Sequence, residues 1–447
     1  MTEAPETRYA TTDDGVSIAY QTVGDGPLDL VLDLESWGNV DTMWELPQLA
    51  DLFGRLSAFS RLILHDQRGT GLSGGGSSFP NLETRARDLL TVLDTIRSSR
   101  AALFGERTAG AALAMFAATY PDRISSLVWF DPVATRRWSP GYPWGRTPDE
   151  LRREAEWTRE LIGDKSLVHE WLERMAPSLA GDERLEAQLT RLDRHFMAPS
   201  TALDWINVEG EVDVTAVLPA LRCPTLLIDH QGSPTSAAES RHVQTIIPGA
   251  ELVLIAGDPN GMVFSDRAAI ADAIGGFLAS DSKAVASDTV LGSLLFTDIV
   301  GSTERQAAMG DRAWGELVRG HHAIVRDALE RWRGVENDTA GDGFYATFDG
   351  PARAVRCALD VVHRVNELGI EIRAGVHTGE CEVIDGKHAG LAVTIGSRIA
   401  AKAGPSEVLV SRTVKDLTAG SGFSFDDAGE HELKGVPDRW QIYRVIA

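Results

Sequence analysis

Leu294-Leu-Phe-Thr-Asp-Ile-Val-Gly-Ser-Thr303 reads as an apolar strand that ends in a carboxylate, Asp298, followed by a glycine and two hydroxyls. Further on, Thr339-Ala-Gly-Asp-Gly-Phe344 sets a second carboxylate, Asp342, between two glycines. Either piece has a plain structural reading: Asp298 could cap the helix expected from Thr303, and Asp-Gly is a strong hairpin signal. Together, two carboxylates beside a backbone-rich turn point to a divalent ion and a polyphosphate. Magnesium suits hard oxygen ligands and takes one or two protein carboxylates, completing its shell with waters and substrate phosphates.

The surrounding sequence predicts an order of strand (Gly292 to Phe296), helix (Thr303 to Arg333), a strand pair around Gly341-Asp-Gly343, helix (Pro351 to Leu368) and strand (Glu371 to His377). That β-α-β-β-α-β order implies a ferredoxin-like α+β sheet with its helices on one face. In the second helix proline stands near the start, and Ala354, Val355, Ala358, Val361, Val362 and Val365 share one side. His321-His322 has no partner at metal spacing and reads as core or surface, and Trp314 and Trp332 as packing residues.

The 447 residues exceed what one hydrophobic core serves, which predicts two domains. With 65 acidic against 43 basic side chains the formal charge is −22, which repels nucleic acid and anionic membrane surfaces. Three cysteines, Cys223, Cys357 and Cys381, stand far apart and in no metal spacing, as reduced thiols of a cytoplasmic protein do. No run reaches the length of a spanning helix. The small, polar stretch Ala279-Ser-Asp-Ser-Lys-Ala-Val-Ala-Ser-Asp288 marks a composition break, so we expect a first domain over 1–280, a linker over 281–290 and a second domain over 291–447.

In the first domain, apolar runs at Leu28 to Leu34, Arg61 to His65, Ala101 to Phe104, Ser126 to Phe130, Thr225 to Ile228 and Glu251 to Ile255 alternate with helical patterns. This predicts a parallel sheet covered on both faces. A Trp-rich, charged stretch over about 140–207, with helices at Glu150 to Ile162 and Ser166 to Met175, reads as a helical lid. The domain resembles the α/β-hydrolase family in Asp66-Gln-Arg-Gly-Thr-Gly-Leu-Ser73 and Leu103-Phe-Gly-Glu-Arg-Thr-Ala-Gly110. The resemblance makes the second segment the nucleophile elbow. Its serine position is Arg107 and its second glycine Ala109, while Asn260 stands at the histidine position and no carboxylate follows the strand ending at Asp229. Arginine cannot serve as nucleophile, so the triad route fails. The domain reads as a regulatory scaffold; a sharper alternative has Arg107 binding an anion.

The second domain resembles the catalytic domain of class III nucleotide cyclases. Phe296-Thr-Asp-Ile-Val-Gly-Ser-Thr303, Gly341-Asp-Gly-Phe344, Arg373-Ala-Gly-Val-His-Thr-Gly-Glu380, Ile395-Gly-Ser-Arg398 and Leu433-Lys-Gly-Val436 occur in family order. The resemblance implies that Asp298 and Asp342, with the carbonyl of Ile299, hold two Mg2+ or Mn2+ ions per active site. It implies further that the amides of Val300, Gly301 and Ser302 cradle phosphate, that Arg398 stabilises the transition state and that Lys434 holds the terminal phosphates. It also implies a homodimer whose sites are shared between chains. Three positions depart from the family. Asp338 stands where adenylate-forming members carry lysine, Lys387 where they carry aspartate, and Thr394 where asparagine or histidine orients the ribose. The base-reading pair thus has its signs exchanged, which suits guanine; alternatively Asp338 and Lys387 pair with each other, or Asp385 supplies the missing carboxylate. The expected activity is cyclisation of ATP, with GTP also open. A cyclase-like dimer that binds nucleotide without turnover and a hydrolase are the alternatives.

Overall fold

The structure, a computed structural model, describes residues 4–34, 38–75, 79–176, 179–231, 234–256, 261–280, 289–384 and 387–446. The chain divides into two compact units, residues 1–286 and 287–447. The expected linker falls largely on 281–288, outside the described residues, as do Asn260 and Asp385.

In the first unit, strands β1 (Arg8–Thr11), β2 (Ser17–Val23), β3 (Asp29–Asp33), β4 (Arg61–His65), β5 (Ala101–Glu106), β6 (Ile124–Phe130), β7 (Thr225–His230) and β8 (Glu251–Ile255) form one sheet. Their order is β1-β2-β4-β3-β5-β6-β7-β8. From β4 onward the neighbours are parallel, and β5 and β7 are buried along their whole length, as strands with both faces covered must be. The sheet is not parallel throughout: β1 and β2 form an antiparallel pair, and β2 joins β4 antiparallel. The edge strand β1 is short and mostly exposed, as at Tyr9, and β2 beside it mixes polar with apolar residues, so neither carries the apolar run that marked the others.

Helices α1 (Pro47–Ser57), α2 (Leu82–Thr95) and α3 (Arg107–Thr119) alternate with these strands, and α8 (Pro234–Ile246), α9 (Gly261–Phe264) and α10 (Arg267–Ala279) follow later. Between β6 and β7, over the stretch expected as a helical lid, lie the helices α4 (Pro148–Leu161), α5 (Lys165–Met175), α6 (Glu183–Phe196) and α7 (Pro199–Glu211). Helix α4 begins at a capping box: Glu150 N–H donates to the Thr147 hydroxyl at 3.4 Å while Thr147 N–H donates to the Glu150 carboxylate at 2.8 Å, with Pro148 next in line. Leu185, Leu189 and Leu192 of α6 enter the same core as Leu32 and Phe104 of the sheet, which fixes α6 to it.

In the second unit, strands β9 (Thr289–Ile299), β10 (Val335–Ala340), β11 (Gly343–Phe348), β12 (Ile372–Ile384), β13 (Lys387–Ala389), β14 (Val408–Ser411), β15 (Ser424–Glu432) and β16 (Arg439–Ile446) form the sheet β10-β11-β9-β12-β14-β16-β15, with β13 on β12. Its first four strands have the expected ferredoxin-like order, antiparallel at every pairing. The helices are α11 (Ser302–Met309), α12 (Asp311–Trp332), α13 (Pro351–Val365), α14 (Leu391–Lys402) and α15 (Arg412–Leu417). Two expectations need correction. The single helix expected over Thr303 to Arg333 is broken at Gly310, whose φ of +78° suits glycine and ends α11.

The helices also lie on both faces of the sheet. Successive β9 side chains alternate: Leu295 and Ile299 join the core under α12 and α13, while Leu294 and Phe296 point to the opposite face. Helix α14 packs on that opposite face, where its Ala392 meets Leu294 and Cys381. It comes close because glycines meet it. A Cβ on Gly375 of β12 would lie 2.2 Å from the Ala400 nitrogen, and one on Gly396 of α14 would lie 2.8 Å from the Phe296 ring. This contact brings Thr394 and Arg398 to the face that carries Asp298. Trp314 and Trp332 pack against the α12 side, and all three cysteines are free and buried. Among the described residues no helix is long and apolar enough to cross a membrane.

Candidate active site

In the first unit the elbow position is structural in its contacts. Arg107 holds the strained φ of +48°, its carbonyl accepts from the Trp129 indole at 2.7 Å, and its guanidinium pairs with Asp131. Nearby, the Tyr142 hydroxyl donates to Glu239; burial and the charge of Asp131 nevertheless push the Glu239 carboxyl up to about 7. The folded chain therefore holds that proton more tightly than the unfolded chain, and stability falls as pH rises from about 4.5 to about 7. Glu239→Gln is expected to stabilise the first unit at pH 8 by on the order of 2 kcal/mol while leaving it nearly unchanged at pH 4.5. Denaturant unfolding of the full chain at both values checks this; the same gain at both would contradict it.

The second unit gathers its charged groups in an open cleft of roughly 520 Å³. Phe296 and Asp298 of β9, Asp338 of β10, Tyr345 of β11, Arg373 of β12, and Thr394 and Arg398 of α14 line it. Phe296 and Tyr345 stack with ring centroids 4.6 Å apart and planes 1° from parallel. The Tyr345 hydroxyl is anchored on the His388 carbonyl at 3.1 Å.

Asp298 shares the cleft-facing parity of Phe296. It does not cap α11, whose N-cap is Gly301 with no side-chain capping bond. Its carboxylate meets Arg373 instead, the residue directly opposite it in the β9–β12 ladder. Arg373 Nε reaches Asp298 Oδ2 at 3.0 Å, and Nη2 bonds the same oxygen. The motif that begins at Arg373 gives this side chain no role in the sequence alone.

Asp342 sits in the tight turn Gly341-Asp342 that joins β10 to β11, one residue earlier than the Asp-Gly turn suggested by the sequence, with Gly341 at φ +66°. The Ile299 N–H donates to Asp342 Oδ2 at 3.2 Å. Burial raises the Asp342 pKa, the charge of Asp298 raises it further, and a bond from the Ser302 hydroxyl draws it down. Two carboxylates close enough to repel in this way fit a cation between them. Among the described residues no group of three or more metal-ligating side chains exists, so waters and phosphate oxygens would complete the shell of an ion held here.

The remaining residues singled out in the sequence distribute unevenly. The Val300 N–H is committed to the Glu371 carbonyl at 2.9 Å, which takes it out of the cradle expected of Val300, Gly301 and Ser302; the latter two stand at the start of α11. Arg398 Nε donates to the Lys434 carbonyl at 3.2 Å, so α14 and the β15–β16 turn meet. Lys434 and Lys387 are exposed and do not line the cleft, whereas Asp338 does. Behind the site, His322 Nε2 contacts the Gly341 carbonyl at 3.0 Å. His321 is fully buried against Phe344, and burial pushes its pKa down to about 4. Neither ring is placed as a ligand.

Residues 285–447 match the family model described as "Adenylate and Guanylate cyclase catalytic domain". An uncharacterized protein of Mycobacterium tuberculosis (strain H37Rv) is 33% identical over 151 residues, 32% of this chain and 52% of that protein. The RutD protein of Caulobacter sp. (strain K31) is 26% identical over 261 residues, 55% of this chain and 88% of that protein. The crystal structure of bromoperoxidase from Bacillus anthracis aligns with a TM-score of 0.53 and 22% identity over 62% of this chain and 100% of its own. At that identity the likeness speaks to the fold, and it places the first unit among α/β-hydrolase-like folds. The chain spans only 16% and 52% of the length of two of the curated relatives it matches.

Proposed function

Taking residues 285–447 as a cyclase catalytic domain, we propose that the chain converts a purine nucleoside triphosphate, ATP with GTP also admitted, to its 3′,5′-cyclic monophosphate and pyrophosphate in a homodimer. The observation that carries this reading is that Asp342, bonded by the Ile299 N–H, stands near enough to Asp298 at the end of β9 for their charges to repel, while Asp298, Thr394 and Arg398 border one open cleft across which a second chain would lie.

In this reading Asp298 and Asp342, with the Ile299 carbonyl, hold the metal. Bound there, Mg2+ or Mn2+ would acidify the ribose 3′-hydroxyl and neutralise charge on the departing pyrophosphate. The Gly301 and Ser302 amides, at the positive end of α11, hold phosphate oxygens. Arg398 offsets the charge that builds on the α-phosphate in the transition state. Thr394, one helical turn before it, orients the ribose. Lys387 and Lys434 project outside the cleft of their own chain, and in the two-fold dimer each chain lends Arg398 and Lys434, with Lys387, to the carboxylates of the other. The first unit acts without chemistry of its own, since Arg107 is tied to Asp131 where a nucleophile would stand.

The test is an assay of the purified full chain with Mn2+ or Mg2+, comparing ATP and GTP. Cyclic product from either supports the reading; nucleotide bound with no cyclic product from either replaces it with a binding function. Asp338 is the candidate base reader of the cleft. A carboxylate accepts from the N1–H and N2 amino group of guanine but offers adenine N1 no donor. Asp338→Lys together with Lys387→Asp is therefore expected to raise the ATP-to-GTP ratio of kcat/KM by about tenfold or more, the scale of one or two base-edge hydrogen bonds. An unchanged ratio would remove these residues from base reading.

A further inference from the structure

We propose that Arg373 is a resident counter-cation on the metal-binding carboxylate Asp298. It weakens divalent-ion binding to the nucleotide-free protein, so that metal and triphosphate enter together. The inference rests on the function proposed above only in taking Asp298 as a metal ligand.

The geometry is set by the sheet. Ala374 pairs with Thr297 on one side and Val408 on the other, and the Ser406 N–H donates to the Ile372 carbonyl at 2.8 Å, so the backbone around Arg373 is held from both sides. Only its side chain can move. In the β9–β12 register Arg373 and Asp298 are directly opposed, on the face that opens to the cleft. Both guanidinium contacts fall on a single carboxylate oxygen, Oδ2. A cation bound by Asp298 must compete for that oxygen or accept a positive neighbour. The two side chains are 37% and 36% exposed, so the arginine can be displaced without opening the core.

Charge points the same way. Asp298 and Asp342 together carry two negative charges, and Arg373 cancels one of them, lowering the attraction for a free divalent ion. A nucleoside triphosphate brings several negative charges of its own into the cleft. It restores the attraction and offers the displaced guanidinium phosphate oxygens, for which its fork is suited. Arg398 is the other cation lining the cleft, and it is occupied by the Lys434 carbonyl.

The experiment is a titration of the nucleotide-free full chain with Mn2+, the free ion being read by electron paramagnetic resonance. Arg373→Gln is expected to bind Mn2+ about tenfold more tightly than the wild type, the scale of one partly exposed ion pair plus the removed charge. Arg373→Lys, which keeps the charge and preserves any sheet-stapling role, is expected to stay within about threefold of the wild type. Equal or weaker Mn2+ binding by a folded Arg373→Gln variant would overturn the proposal. So would a tenfold gain in Arg373→Lys, which remains decisive if the glutamine variant does not fold. Because the readout is ion binding without substrate, a failure to form cyclic nucleotide would strike the function proposed above and leave this result standing.

Discussion

Asp298→Ala is expected to lower cyclic-nucleotide formation by at least about a thousandfold, since a metal ion's stabilisation of transition-state charge amounts to several kcal/mol and each 1.36 kcal/mol is a factor of ten. The fold should survive the change. Asp298 is 36% exposed in its side chain, and its ion pair with Arg373 belongs to the class of partly exposed pairs that contribute about 1 kcal/mol or less. The loss should therefore appear as lost turnover in a protein whose unfolding midpoint has barely moved. Asp342→Ala should behave alike in turnover. Its raised pKa adds a pH signature: because Asp342 must be ionised to hold metal, activity in the wild type should fall on the acid side at a higher pH than an ordinary aspartate would give. Ordinary turnover in a folded Asp298→Ala protein would remove β9 from the site.

The second large effect is at Arg398. Among the described residues its guanidinium reaches no carboxylate, only the Lys434 carbonyl, so it is held at the cleft without being neutralised. A preorganised donor of that kind acts on charge that develops during the reaction, and loss of one such donor costs about 10²–10³ in kcat. Arg398→Ala is expected to show that loss with KM for the nucleotide within a few-fold of the wild type. Arg398→Lys should recover only part of it, because a point charge cannot reproduce the fork. A large rise in KM with kcat intact would make Arg398 a ground-state binding residue instead.

The parts of this structure that local sequence could show were those whose signal is local. The run ending at Asp298, the glycine-flanked Asp342 and the one-sided helix α13 each carry their pattern within a dozen residues, and a strand, a hairpin and a helix formed there, the hairpin turn one residue earlier than Asp342-Gly343 suggests. The ferredoxin-like strand order followed from their succession. The short edge strand β1 and the mixed strand β2 beside it carried no apolar run, and the sheet neighbours β14, β15 and β16 lay beyond the predicted succession. The placement of α14 on the opposite face depended on Gly375 and Gly396 meeting a helix and an aromatic ring, contacts made between distant parts of the chain. Arg373 was missed for the same reason. It lies 75 positions from Asp298, and only the register of β9 against β12 sets the two side by side. Once that register is known the pairing is forced, because a one-residue slip would turn Arg373 away from the cleft. Lys387 and Lys434 were placed by resemblance alone, and both stand exposed outside the cleft of their own chain.

The shared site can be tested by mixing two inactive proteins, Asp298→Ala and Arg398→Ala, under conditions that let subunits exchange. If carboxylates of one chain work with the arginine of the other, each mixed dimer holds one intact site and one doubly damaged site. With half of the dimers mixed, cyclic-nucleotide formation should return to about a quarter of the wild-type rate. No recovery beyond the sum of the two variants, in a sample shown to contain mixed dimers, would contradict the account.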